Sequence, residues 1–533
     1  MSASLPPHRA TRPAARGSGT VVALSVVATV VAGAAAVLNP TAGVAAVALL
    51  VVGGLALLNV TALPRMFVAS LGVTLAGYAY VGKSFAYLGA PPLFVGEMVL
   101  ACGLLALFVR GGPGEALRFP LVPLIALLAF WCAAQTLPYL PTYRIDALRD
   151  AALWGYAIFA LLVATMLTRM DLLGEVPRQY TKWFWWLPFW LPITGIAARV
   201  AADRMPHLPG TQIPLLLFKP GDAAVHLAGA AAFVLLGLHA PYRNRPLRGH
   251  GGEWLWWAGW LAAFAVAVSG SRGGFLSIAV AMFVVLALRP NTKVWKPTVV
   301  GIMLGLAFWA SRIEIDLGLV RKVSAEQLAS NLLSIVNSES ERQDLEGTRE
   351  WRLQWWDQIV GYTVHGPYFW TGKGFGVNLA NDDGYQGTTQ GNPNRSPHNV
   401  QITFLARAGV PGAVIWLTLQ AAFVAVMLRG YFGARRLGAD RLAAFTAWVL
   451  AYWLACLVNA TFDVYLEGPQ GGIWYWSLMG AGLAALHAQR ALRGPARPPQ
   501  LDGAGQRRRR RPQIPAIVDD PHAPRRPFTP SGR

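Results

Sequence analysis

The stretch WLWWAGWLAAFAVAVSGSRGGFLSIAVAMFVVLAL, Trp254 to Leu288, decides the fold. It holds two apolar runs, 254–270 and 274–288, and one charge, Arg272, where they meet. A helix crosses the hydrocarbon of a bilayer in about 20 residues. Two such runs with almost no loop between them predict a pair of spanning helices that turn at one membrane face. Further runs lie near 20–38, 42–60, 67–82, 93–109, 119–137, 150–168, 183–200, 222–240, 297–312, 410–428, 442–460 and 471–489. The expected fold is an all-α integral membrane protein with about 12–14 transmembrane helices and one long extracytoplasmic loop.

Composition agrees with this. Of 533 residues, 54% are hydrophobic and 14% charged; soluble domains carry roughly 25% charged residues. The 21 tryptophans suit a chain with two membrane–water interfaces. The net charge of +20 sits largely in the two ends and the short loops, which speaks against a nucleic-acid partner. With the N-terminus inside, every even-numbered span exits into a basic loop, from Arg65 through Arg243, Arg245 and Arg248 to Arg435, Arg436 and Arg441. This is the positive-inside pattern, with both termini cytoplasmic. Cys102, Cys132 and Cys456 each fall inside an apolar run, as small fillers.

Five regions follow. Residues 1–19 form a basic cytoplasmic segment, and 20–253 an N-terminal transmembrane region whose first run is read as a retained helix. Residues 254–428 form a core that contains the long outside loop, about 313–397. Residues 429–492 hold the last spans, and 493–533 an Arg- and Pro-rich tail expected to be disordered and to meet anionic membrane lipids. Within the loop, Asp316–Val336 has helical periodicity and a second helix is expected over Thr348–Val364. Gly372, Gly374 and Gly376 mark tight turns; as a phosphate loop they are a weak signal, since no strand precedes them.

Cations on the outside face resist the charge rule, so they are candidates for a site. They are Lys83, Arg144, Arg149, Arg204, Lys219, Arg272, Arg349, Arg352, Lys373 and Arg395. Such a face above apolar helices suits an anionic headgroup on a lipid. Arg272 is the sharpest, because a helix starts there and its free N–H groups face the same point as the guanidinium. A guanidinium fork suits a phosphate or diphosphate. His398 lies where the long loop returns to the membrane, at the expected start of a helix. A neutral imidazole there could take a proton from a hydroxyl. Asp463 and Glu467 sit at the outer end of a late span, where acids are costly and often functional. The histidines show no HExxH or other metal-ligand spacing, so a metal-independent site without a cofactor is expected.

These residues lie in motifs that resemble the O-antigen ligase and polymerase family of bacterial surface-polysaccharide proteins. The matching pieces are Ser271-Arg272-Gly273-Gly274, Arg352-Leu353-Gln354-Trp355-Trp356, Gly372-Lys373-Gly374-Phe375-Gly376, Pro397-His398-Asn399 and Leu405 to Gly412. Gly82 to Gly89, Ala147 to Asp150 and Phe462 to Gly472 are also similar. The resemblance implies a GT-C-like membrane glycosyltransferase in the bacterial inner membrane, active on the periplasmic side. It implies transfer of a glycan from an undecaprenyl-diphosphate carrier to a lipid or glycan acceptor, with inversion and without a metal. Diphosphate binding falls to Arg272 and Arg352 with Arg349 beside them, and catalysis to His398. Lys219, Arg149, Arg395, Asn399, Asp463 and Glu467 are expected in support. The chain departs from the family in its higher span count and in reading Arg407-Ala408-Gly409 where an acidic Glu-Gly is usual. A flippase or exporter of lipid-linked sugars is the alternative.

Overall fold

The computed structural model describes residues 63–90, 93–110, 114–200, 204–208, 211, 213–242, 250–289, 292, 294–311, 343–386 and 394–493. The runs near 20–38 and 42–60, the Asp316–Val336 helix and both basic ends lie outside the described residues. The longer helices in order are α1 Leu63–Val81, α2 Val95–Arg110, α3 Val122–Ala134, α4 Ile145–Gly155, α5 Ile158–Arg169, α6 Glu175–Phe184, α7 Leu187–Val200 and α8 Pro220–Leu235. They continue as α9 His250–Gly270, α10 Arg272–Leu288, α11 Trp295–Ser311, α12 Gln343–Val364, α13 Val400–Arg436, α14 Asp440–Phe462 and α15 Pro469–Arg493. Each expected span from 67–82 onward overlaps one or two of these. A two-residue hairpin, Gly89–Ala90 with Leu93–Phe94, is the one sheet among the described residues.

By length and composition, Val122–Tyr143, Val400–Arg436 and Asp440–Phe462 can each cross a membrane unaided, and α4 with α5 makes a further, bent candidate. The helices bundle around α14, which packs on α8, α10, α13 and α15. α8 reads PGDAAVHLAGAAAFVL and is buried from Gly221 to Val234. A helix with no polar face belongs in the centre, and its small residues let neighbouring backbones come close. A Cβ on Gly229 would lie 2.4 Å from the Tyr452 ring, so α14 sits directly on this face. Trp448 Nε1 donates to Gly229 O at 2.9 Å across the same contact. Large apolar side chains such as Phe108, Phe130, Ile193, Phe283, Met303 and Val414 point outward. In water they would be unfavourable; in a bilayer they meet lipid. Among the described residues the fold is all-α apart from its short hairpin, as an all-α membrane protein requires.

α13 is broken. Gly409 has φ 68° and ψ −174°, and Pro411 follows, so the ladder is interrupted between Val400–Ala408 and the longer remainder. The break leaves carbonyls that need donors. Lys373 N reaches Ala406 O at 2.7 Å and Gly374 N reaches Arg407 O at 3.1 Å. Trp131 Nε1 donates to Ala408 O at 2.9 Å. The glycine series is therefore a backbone cap for a broken helix. Gly372 must be glycine twice over: its φ is +60°, and a Cβ would lie 2.5 Å from the Arg407 carbonyl carbon.

Candidate active site

Three helix N-termini meet beside the C-terminal end of α14. Ser271 caps α10, its hydroxyl accepting from Gly274 N at 2.9 Å, and Arg272 is the first helical residue. Lys219 precedes α8, whose first residue is Pro220. Asn399 caps α13, accepting from Gln401 N at 2.9 Å and Ile402 N at 3.2 Å. Missing side chains allow the approach. A Cβ on Gly221 would lie 2.4 Å from Asn459 Oδ1 and 3.2 Å from Ser271 Oγ; one on Gly273 would lie 2.8 Å from Phe462 Cβ.

The corner Phe462–Asp463 collects the charged groups. Lys219 Nζ binds the Asp463 carboxylate at 2.8 and 3.0 Å. His398 Nδ1 stands 3.5 Å from Asp463 Oδ1. Arg352 Nη1 donates to Phe462 O at 3.2 Å. Arg272 adjoins Gly273, which packs on Phe462. Beneath Lys219, Asp222 is buried and accepts from Asn459 Nδ2 at 3.2 Å. Thr403 donates to Glu467 at 3.2 Å on the neighbouring turn.

Burial alone would raise the Asp463 carboxyl. The Lys219 ammonium and the His398 hydrogen bond outweigh it and hold the group well below the usual carboxylate range. Burial works against the Lys219 charge, but Asp463 and Asp222 outweigh it and lift this amine above the ordinary lysine value. Burial pulls the Arg352 guanidinium below its ordinary value, with Asp463 opposing. Positive helix ends, Lys219 and Arg352 thus gather about one carboxylate, an arrangement suited to further negative charge.

His398 is not the first residue of α13. The helix starts at Val400, and His398 sits one place before the cap with φ 55°. That left-handed backbone is uncommon for a non-glycine residue and marks a constrained position. The dominant neighbour of the ring is the Asp463 carboxylate, which orients Nδ1; a helix N-terminus acting on a neutral imidazole was the expectation.

Other expected residues stand elsewhere. Arg395 binds Asp150 at 3.2 Å and Asp146 at 3.5 Å, and donates to Gly376 O at 3.1 Å. Arg149 is exposed on α4 while its neighbour Asp150 turns inward. Arg349 lies on α12, but its side chain is outside the described residues. Asp150 also takes Arg407 at 2.9 Å, and Arg407 is 1% exposed. The arginine that departs from the family pattern is thus a buried tie between α4, the 372–377 loop and α13. Asp222 and Asn459 went unnoticed in the sequence; an acid in the first turn of an otherwise apolar helix was the available signal. Among the described residues no group of three or more His, Cys, Asp or Glu side chains could hold a metal ion. A cavity of about 640 Å³ lined by Arg289, Lys296 and Arg435 lies at the opposite end of α10 and is separate from this corner.

No curated protein matches the chain. Compared with models of known families, residues 257–417 match the one described as O-antigen ligase. The matched segment includes Arg272, Arg352 and His398; Lys219 and Asp463 fall outside it. The match supports assignment of this chain to the O-antigen ligase family, the one its motifs resemble.

Proposed function

We propose that this protein is a metal-independent, inverting glycosyltransferase of the ligase or polymerase type. It moves a glycan from an undecaprenyl-diphosphate carrier to an acceptor hydroxyl at the periplasmic face of the bacterial inner membrane. The family implies ligase- or polymerase-type activity in polysaccharide biosynthesis. The observation that carries the finer reading is the meeting of Lys219 and Arg352 with the His398–Asp463 pair, at the corner where the helix that Arg272 opens begins.

In this reading Arg272 and Arg352 hold the diphosphate and take up the charge that grows on it as the glycosidic bond breaks. Asp463 keeps the Nδ1 proton of His398, which leaves Nε2 to accept a proton. The acceptor hydroxyl gives that proton to Nε2 as its oxygen bonds to the anomeric carbon. The bonding pair departs with the diphosphate, and a single displacement inverts the centre. Lys219 fixes Asp463 and adds positive charge. An apolar groove lined by Leu71, Leu75, Ala79, Tyr80, Val163, Tyr452 and Trp474 runs along α1 and suits part of a polyprenyl tail.

The test is purified protein in nanodiscs with a defined undecaprenyl-diphosphate oligosaccharide, products being resolved on a gel. A ladder of longer lipid-linked chains without added acceptor identifies a polymerase. Product only with an added acceptor identifies a ligase. His398→Ala is expected to lower either rate by about 100-fold or more, with expression and insertion intact. EDTA is expected to leave the rate unchanged; inhibition by chelator would overturn the metal-free mechanism. Silence with every acceptor moves the assignment to a flippase.

A further inference from the structure

We propose that the cavity at the far end of α10, together with a smaller one that shares Arg289 with it, binds the phosphate headgroup of an anionic membrane phospholipid. The proposal rests on insertion of the bundle in a bilayer and is independent of the transferase reading.

The site is built where helices end. α8 ends at Leu235 and α10 at Leu288, with Arg289 as the cap of α10. The Arg289 backbone N donates to Val285 O at 2.8 Å, and its Nη1 donates to Leu236 O at 3.1 Å. Tyr431 Oη donates to Leu288 O at 2.5 Å. α8, α10 and α13 therefore hold this guanidinium in place. Arg289, Leu236 and Gly237 line both the cavity of about 640 Å³ and a second of about 340 Å³. Small-ligand sites run from about 300 to 1,000 Å³. Lys296 and Arg435 face the larger cavity, Arg441 the smaller.

Charge decides what these cavities suit. Lys296 binds Glu253 at 2.6 Å and Arg435 binds Asp440 at 2.6 Å, so these four roughly cancel. Arg289 and Arg441 have no carboxylate partner among the described residues. Helix ends do not absorb the surplus. The C-terminal ends of α8, α10 and α13 bring about −0.5 each, and the N-terminal ends of α9, α11 and α14 about +0.5 each. Capping of a carbonyl accounts for one of the five N–H donors of Arg289. It does not account for Arg441, which sits in the first turn of α14, where the dipole disfavours a cation. A guanidinium fork fits the paired oxygens of a phosphate.

The surroundings favour a lipid over a free phosphate. Trp254 and Trp295 adjoin Glu253 and Lys296 in sequence and pack edge to face at 5.3 Å, with Trp295 exposed. Indoles collect at the level of the headgroups, which sets the depth of the ion pair beside them. Leu235, Leu236 and Leu288 line the larger cavity and suit the glycerol and the first methylenes of a lipid. Basic pockets between helices at this depth take anionic headgroups. The basic ends of this chain carry the same sign as the cavity and are poor occupants.

The experiment titrates the full chain in detergent with phosphatidylglycerol, phosphatidylcholine or inorganic phosphate. Native mass spectrometry counts the bound lipid, and thermal unfolding checks the fold. Arg289→Gln, which keeps a donor for Leu236 O, and Arg441→Gln are each expected to weaken the tightest phosphatidylglycerol binding about fivefold. Arg118→Gln removes an exposed cation outside both cavities and is expected to leave binding unchanged. Arg441→Gln decides the matter if Arg289→Gln does not fold. Wild-type affinity in the folded variants overturns the site, and so does an equal loss in Arg118→Gln. Phosphatidylcholine bound as tightly as phosphatidylglycerol overturns the headgroup assignment. Inorganic phosphate that displaces the lipid at equal concentration assigns the cavity to a free anion and overturns the lipid.

Discussion

Asp463 is the residue on which the corner depends, because it faces a lysine and a histidine at once. Its carboxyl lies below its unfolded value near 3.9. The stability it contributes is present above about pH 4 and is lost as pH falls toward the folded value. Lys219 lies above its unfolded value near 10.4, so its share is present below about pH 10 and is lost as pH rises. Asp463→Asn is therefore expected to lower Tm at neutral pH, with the gap to the wild type closing below about pH 4; a gap that stays constant with pH would show that the charge is not what stabilises the corner. Arg272→Lys is expected to recover little of the rate lost in Arg272→Ala, since an ammonium lacks the bidentate fork; initial rates over a donor titration decide this. The helix start at Arg272 was legible in the sequence because apolar runs bracket it and no other charge interrupts them. The Asp463 partnership was not, because Lys219 is 244 positions away and only the folded bundle brings them together.

At the scale of the element, α13 shows how a helix long enough to span a membrane carries the candidate site at its N-terminal end. Gly409 and Pro411 were the available signal for the break, which the expected spans did not use. What satisfies the break was not legible: glycines at 372 and 374 turn their loop so that its amides reach Ala406 O and Arg407 O. The helical pattern of the outside loop did predict α12, over Thr348–Val364 against the observed Gln343–Val364. The start of α13 was placed at His398, two residues early, since the periodicity does not reveal which polar residue caps. Gly409→Ala would force a Cβ to within 2.4 Å of Phe369 O at a positive φ, and a loss of about 1–3 kcal/mol is expected in denaturant melts. Arg407→Met would leave the inward-turned Asp150 short of its closest cation. A buried pair broken on one side costs about 3–5 kcal/mol. Arg395 still binds Asp150 at 3.2 Å, so the loss in Arg407→Met is expected to be smaller than that, and Asp150→Asn, which takes the carboxylate from both arginines, is expected to melt below Arg407→Met.

At the scale of the whole molecule, the two ends of the bundle carry cations in different company. At one end, Lys219 and Arg352 surround Asp463 and the chain ends of α8, α10, α13 and α14 close in on them. At the other, Arg289, Arg435 and Arg441 lie among short connections, as the charge rule expects of a cytoplasmic face. The first end can meet a periplasmic carrier headgroup only if the bundle is inserted this way round. In a background lacking Cys102, Cys132 and Cys456, Trp370→Cys and Leu437→Cys report the two faces, both side chains being exposed. A membrane-impermeant maleimide on intact spheroplasts is expected to label position 370 at once and position 437 only after permeabilisation. Labelling of 437 in sealed spheroplasts would invert the bundle. The His398 corner would then face the cytoplasm, and its cations would have to be explained by a substrate on that side.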